Sequence, residues 1–427
     1  MKSRTPEKVF AIYLFIFYFI PALAYASGFR VTFYNYPGLT LAETLYICLI
    51  MLALIGALIF ERLTRRDRVI RGAPVQRKAR WVVLVVVLSI STYGYLSDMS
   101  GWRYAENNIS DQISIGKLAY IALPPIIEFL IFRELFFADI HRSHRQAARL
   151  RGFVLGVSAA LCASGIGPML LATIALAFSF FPEQFRGGIF FRQACGPVPR
   201  TWPITFLVSV PMVFLLMVTA ILGGEIIKTG SDLDAVLDVY SDMSFEGIAL
   251  YLIGRFSTAW VSLINSVGHV SVYSVSELAD NFFTPLQNFL YRLDTVTGGW
   301  LAVSRPSPGT LSRINYEMIT AVALNDREGT SPGLLAAFVL TTPIIFCVVA
   351  ICIYVGIVAR LLARAAAIMP GKLTWLGCAG LAYFFSIFFS SPIDLMLIFD
   401  QSAISVLAIC IFIYRSTQSR RLSNAHQ

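Results

Sequence analysis

A chain of 427 residues that is 57% hydrophobic and only 14% charged, with a mean hydropathy of +0.70, has too little charge to cover a water-exposed surface, which excludes a soluble fold. Its apolar residues gather in runs of about 18 to 25, the length that crosses a hydrocarbon layer of about 30 Å as helix, and no region alternates like an outer-membrane barrel strand. The expected fold is all-α: a polytopic transmembrane helical protein of about ten membrane segments with one large extracytoplasmic helical loop.

The first run, Val9 to Ala26, is followed by "AYAS" (Ala24 to Ser27), which has the form of a signal-peptidase site, but the run is long enough to remain as an anchor. Further runs are Leu39 to Phe60, Trp81 to Ser97 and Ile115 to Phe137. Gly152 to Phe181 is too long for one comfortable span, and "SGIGPM" (Ser164 to Met169) in its middle breaks helices, so a hairpin of two short halves is expected there. Pro203 to Leu222, Gly333 to Ala359, Leu373 to Ser390 and Pro392 to Tyr414 complete the set.

Basic residues fix the orientation, because Lys and Arg of short loops stay in the cytoplasm. Most of the 34 fall in the N-terminus, in Glu61 to Arg80, His141 to Arg151, Gln184 to Arg200 and the tail from Tyr414, and beside Arg360, Arg364 and Lys372. All of these go inside if Gly152 to Phe181 is a hairpin. An alternative makes that run one helix and Phe245 to Ile264 a span; both arrangements put His269 to Pro332 outside. Three segments result: transmembrane helices in 1–222, an extracytoplasmic loop in 223–332 whose Ser231 to Tyr273 stretch reads as amphipathic helices lying at the outer membrane face, and further transmembrane helices with a cytoplasmic tail in 333–427. The net charge of +9 is accounted for by cytoplasmic loops on anionic lipid, without nucleic acid.

Several chemistries find no foothold. There is no G-x-x-x-x-G-K-[ST] motor motif, no CxxC pair and no clear internal duplication of the kind many carriers show. His141 and His144 are spaced like metal ligands, but their neighbours are arginines, so they read as a solvated basic loop. No metal and no cofactor is expected.

The elaborated part is the external loop. Its six basic residues are Lys228, Arg255, Arg292, Arg305, Arg313 and Arg327; arginine, whose rigid fork binds phosphate bidentately, predominates. Arg255 lies in an apolar helix face ("YLIGRFSTAW"), where a lone cation needs a partner or hydration; it is either a ligand for pyrophosphate or an interfacial residue paired with Glu246 or Asp242. The loop ends in "ALNDREGTSPGLLA" (Ala323 to Ala336). Here Asp326, Arg327 and Glu328 precede a helix start, with Thr330 and Ser331 as capping hydroxyls, Pro332 and Gly333. A plain helix cap explains these residues; so does an anion site on free N–H groups. His269, the external histidine, serves either as a base or as a packing residue. Arg292 reads as a surface pair with Asp294. Within the spans, Glu128, Arg133, Glu134, Asp394 and Asp400 are either an interhelical pairing set or a proton path.

The long external loop, the "IGRFS" arginine and the ending "NDREGTSPGLLA" resemble the bacterial oligosaccharide repeat-unit polymerases, the Wzy type that builds O-antigen, capsule or exopolysaccharide. The resemblance covers most of the chain as topology and about 20 residues as motif. It implies a multi-pass inner-membrane glycosyltransferase that joins undecaprenyl-pyrophosphate-linked oligosaccharides at the outer face, alongside a flippase and a chain-length regulator. Arg255, Arg313 and Arg327 would hold pyrophosphate, and His269, Asp326 or Glu328 would act as base, with Glu277 and Asp280 as further candidates. An O-antigen ligase shares the donor and the membrane face, and a flippase or carrier is the remaining alternative.

Overall fold

The computed structural model describes residues 4–30, 34–65, 81–97, 115–137, 145–163, 166–187, 215, 218–224, 226, 234, 238, 245–270, 273–297, 299–304, 310–320, 331–369, 372–390, 392–393 and 401–425. These are helical almost throughout. The helices are α1 (Thr5–Ala26, with a π-helical turn at Phe15–Phe19), α2 (Leu41–Thr64), α3 (Trp81–Leu96), α4 (Ile115–Phe137), α5 (Arg145–Leu161), α6 (Ile166–Phe180) and α7 (Phe245–Val270). They continue as α8 (Val275–Thr297), α9 (Leu311–Thr320), α10 (Gly333–Thr341), α11 (Ile344–Ile368), α12 (Trp375–Phe384), α13 (Ser386–Ser390) and α14 (Gln401–Ala425). Among the described residues, extended pairing is limited to Arg186–Gly187, antiparallel to Lys372–Leu373.

Three helices, Thr5–Ala26, Leu41–Thr64 and Phe346–Ile368, are long and apolar enough to cross a membrane, and Trp81–Leu96, Gly167–Phe180, Trp375–Phe384 and Ala403–Thr417 are shorter apolar helices. The Pro203 to Leu222 run lies largely outside the described residues, as do 394–400. Two compact units interleave along the chain: residues 1–68, 244–363 and 385–403 form the first, and the remainder forms the second. The segment 223–332, expected to be external, is divided between them after Met243.

In the second unit the expected hairpin is present. Helices α5 and α6 pack along their length, and Gly152 and Gly156, four residues apart, let the backbones approach. A Cβ on Gly156 would lie 2.8 Å from Leu176 Cγ, and one on Gly152 would lie 3.3 Å from Phe178 and Ser179; this is the close small-residue contact that holds helices together in lipid. Glu134 of α4 is buried and accepts a 2.8 Å hydrogen bond from Arg151 Nε of α5. Removing one partner of such a pair costs about 3–5 kcal/mol because the other charge stays buried. Glu134→Ala is therefore expected to lower the melting temperature of detergent-purified protein sharply, and Glu134→Leu with Arg151→Met to recover most of the loss. Equal melting temperatures for the single and double variants would refute the pairing.

In the first unit α1 and α2 run antiparallel. Glu7, at the start of α1, lies 3.7 Å from both Arg62 and Arg65 at the end of α2, and Arg65 Nε donates to the Glu61 carboxylate at 3.1 Å. The start of α1 and the basic close of α2 thus share one end of this unit, in keeping with the charge rule. At the opposite end α2 opens with a capping box: Glu43 N–H donates to Thr40 Oγ1 at 3.3 Å, and Thr40 N–H to Glu43 Oε2 at 2.7 Å.

Three expectations need correction. Gly333 to Ala359 is not one span: α10 stops at Thr341, Thr342 is extended (φ −134°, ψ 132°), and α11 starts beyond Pro343. A residue before proline is driven out of the helical region, and proline removes a helix donor. The run Leu373 to Ser390 likewise divides at Phe385. The third concerns α7. Val261 to Val267 are buried without a gap, and the helix packs on α1, α10, α9 and α2, so it belongs to the core rather than lying on a membrane face. Phe256 meets Phe17, Trp260 meets Tyr25, and Asn265 Nδ2 donates to Asn35 O at 2.8 Å. Helix α7 therefore runs alongside α1 in the same direction.

Candidate functional site

The half-helix α10 is the least expected element of the first unit. All nine of its residues are buried, which fits an all-apolar sequence with no polar face. Its first donors are met by tyrosines of α1: Leu334 N–H donates to Tyr13 Oη and Leu335 N–H to Tyr18 Oη, each at 3.2 Å. Tyr13 and Tyr18 are five residues apart, too far around a regular α-helix to face one partner. The π-helical turn at Phe15–Phe19, with its wider i→i+5 winding, brings them to the same side.

The Tyr13 hydroxyl also donates to Phe389 O at 2.6 Å. It thereby joins the electropositive start of α10 to the electronegative end of α13, and opposed helix ends compensate each other. Ser331 Oγ donates to Ser390 O, and Tyr354 Oη donates to Phe388 O at 3.0 Å. The capping roles differ from expectation. Ser331 serves α13, Pro332 is the N-cap of α10 and offers no side-chain bond, and α10 is capped from another helix. Thr330 lies outside the described residues.

These contacts set the depth of α10. Tyr13 and Tyr18 are in the middle of the 22-residue α1, so α10 begins level with the middle of that helix. It ends at the far end. Cys347, just after the break, lies beside Tyr46 near the start of α2, and Cys352 Sγ lies 3.5 Å from Ala53 O. Helix α9 belongs to that same end, since Asn35, beyond the close of α1, donates its N–H to Ile319 O at 2.6 Å. Helix α9 thus closes at that end of the unit, whereas α10 opens at the middle and runs back toward it.

The candidate residues fall into two groups. His269 and the helix bearing Arg313 meet at the end of the unit marked by Asn35. There His269 Nδ1 lies 2.8 Å from Asn265 O; a carbonyl only accepts, so Nδ1 carries the proton and Nε2 is the basic nitrogen. Arg313 is half-buried, in the first turn of α9, with its N–H on Thr310 Oγ1 at 3.3 Å. Arg255 precedes His269 by fourteen residues, about 21 Å of rise and just under four turns, so one pyrophosphate cannot touch both. It lies one turn before Ala259, against which Gly333 packs; the structure thus brings the turn of Arg255 close to the start of α10. Asp326, Arg327 and Glu328 lie outside the described residues.

Two further readings change. Ser274 N–H donates to Glu277 Oε2 at 2.6 Å and Glu277 N–H to Ser274 Oγ at 3.3 Å. This capping box holds the Glu277 carboxyl below its ordinary range, which makes it a poor base. Asp294 is buried rather than at the surface; its carboxylate accepts from Leu301 N–H at 2.5 Å and Val303 N–H at 3.0 Å, and the side chain of Arg292 lies outside the described residues. Sequence reasoning missed Tyr13 and Tyr18, for which "FIFYF" gives no local sign, but "TTP" (Thr341 to Pro343) inside an apolar run was a legible break. No family model, no curated protein and no solved structure matches the chain.

Proposed function

We propose that this chain is a multi-pass protein of the bacterial inner membrane, with about ten spans, that polymerises undecaprenyl-pyrophosphate-linked oligosaccharide repeat units at the outer face. Transfer forms a glycosidic bond at the anomeric carbon, breaks the carbon–oxygen bond to pyrophosphate, and sends the acceptor hydroxyl proton to a base. Its demands are cations for the leaving group and a base for the hydroxyl. The observation that carries the reading is the placement of the Arg255 turn beside the start of a buried half-helix, six residues after Arg327. In this reading Arg255 and Arg327 hold the pyrophosphate at depth, where its prenyl tail is at home, and Asp326 or Glu328 takes the proton. His269 and Arg313 line the outer end, where the acceptor sugars arrive.

A second reading has its own observation: helices broken within a membrane bundle, with opposed ends meeting, are how many carriers build a transport site. Deleting the gene separates the readings. Loss of a polymerase leaves single repeat units displayed outside but not chained, loss of a ligase leaves full-length chains on the carrier lipid, and loss of a flippase traps units inside. Gel separation of surface glycan and of lipid-linked intermediates reads the three outcomes. A reporter fused after Asp294 is expected to behave as extracytoplasmic, and one after Arg145 or Arg421 as cytoplasmic.

A further inference from the structure

We infer that α8 and the turn that follows it form an interfacial anchor, inserted into the lipid surface at the end of the first unit marked by Asn35. Helix α8 belongs to that end because Asn281 Nδ2 donates to Leu340 O, near the outer close of α10, at 3.0 Å. One face, with Leu278, Pro285 and Asn288, is buried. The rest of the surface divides into two stripes. Phe283, Leu286 and Leu290 are exposed and apolar, and beside them run Glu277, Asp280, Thr284 and Gln287. An exposed surface split lengthwise into apolar and polar stripes suits a helix lying half in lipid and half in water.

The turn beyond α8 supplies the second observation. Trp300 is 89% exposed and Leu301 is 53% exposed, the pair standing outward. They are held there by design of the backbone: Gly299 N–H donates to Asp294 O at 2.8 Å, and the buried Asp294 carboxylate takes the amides of Leu301 and Val303. Ala302 has a φ of +50°, the one non-glycine residue with positive φ among the described residues. A non-glycine side chain in that region costs about 1–3 kcal/mol and persists only where the surroundings enforce it. Tryptophan is the residue that settles at the membrane–water boundary.

Lipid is the occupant favoured over a protein partner by continuity. Helix α11, which follows α10, exposes Phe346, Val349, Ile353 and Ile357 in a row along a helix able to cross a membrane; Asn281 ties α8 to Leu340, four residues before α11 starts, so α8 sits at the end of the bundle where that lipid-facing row begins. The described exposed charges of α8, Glu277 and Asp280, are acidic. Apolar insertion rather than attraction to anionic lipid drives the contact, and it should be as strong in phosphatidylcholine as in mixtures with phosphatidylglycerol.

The test uses the full-length protein in vesicles of phosphatidylcholine brominated on its acyl chains. The fluorescence difference between wild type and Trp300→Phe isolates Trp300, and that component is expected to be quenched by bromine and shielded from aqueous iodide. Quenching by iodide instead, or by neither agent, overturns the proposal; the latter result points to a protein covering the turn. Two reporters in the Trp300→Phe background keep the test independent of that residue. Leu286→Trp, on the apolar stripe, should be quenched by bromine several-fold more than Gln287→Trp on the polar one, and equal quenching overturns the proposed orientation.

Discussion

Arg255→Lys and Arg327→Lys are each expected to lower chain extension by at least about a hundredfold, the scale seen when one donor to a developing oxyanion is lost, while membrane protein levels hold. Lysine preserves the charge but not the planar pair of donors that grips a pyrophosphate. A residue that only snorkels or caps would tolerate the exchange, since those roles need charge more than geometry. Arg292→Lys is the comparison. Arg292 has no place in the proposed pyrophosphate set, and its neighbour Asp294 takes two backbone amides, so near wild-type extension is expected. The assay is the length distribution of lipid-linked glycan formed by purified protein in vesicles, beside a blot for protein amount. Wild-type chain length from both lysine variants would remove the pyrophosphate role. The two arginines are also expected to fail together: if they bind one pyrophosphate, the double variant should be scarcely worse than either single one.

What could be read from the sequence follows from which forces are local. Apolar runs and the basic loops identified helices and one orientation, because hydrophobic length and charge act residue by residue. The break within Gly152 to Phe181 was legible for the same reason, since glycine and proline act on their own backbone. The break at Pro343 rests on equally local chemistry, but it is masked by an apolar run long enough to invite one helix. The capping of α10 by Tyr13 and Tyr18 depends on partners more than 300 residues away, and no spacing rule reaches that far. The same limit explains α7. Its hydrophobic face suggested a helix on a membrane surface, but a face of that kind records only that something apolar covers it. In the folded chain the cover is α1 and α10. Arg255 was singled out because a cation in an apolar helix is conspicuous, whereas its position beside the start of a half-helix required the structure.

Gly333→Ala is expected to remove most folded protein from the membrane, because two independent faults coincide at one atom. Gly333 has a φ of +77°, where an L side chain costs about 1–3 kcal/mol. Its Cβ would also lie 2.7 Å from Ala259 Cβ and 3.0 Å from Tyr18 Oη; overpacking of this kind costs about 1–3 kcal/mol more. Neither neighbour can easily yield. Ala259 is on the buried face of α7, and Tyr18 is tied to Leu335 N–H, so moving the tyrosine would uncap the half-helix. The two faults can be measured apart. Ala259→Gly in the Gly333→Ala background opens the space without altering φ, and it should restore part of the lost melting temperature and of the membrane level, leaving the strain as the remainder. A double variant no better than Gly333→Ala alone would assign the whole effect to backbone conformation. A Gly333→Ala protein with wild-type stability would mean that α10 does not begin against α7 and α1, and the site built on that junction would fall with it.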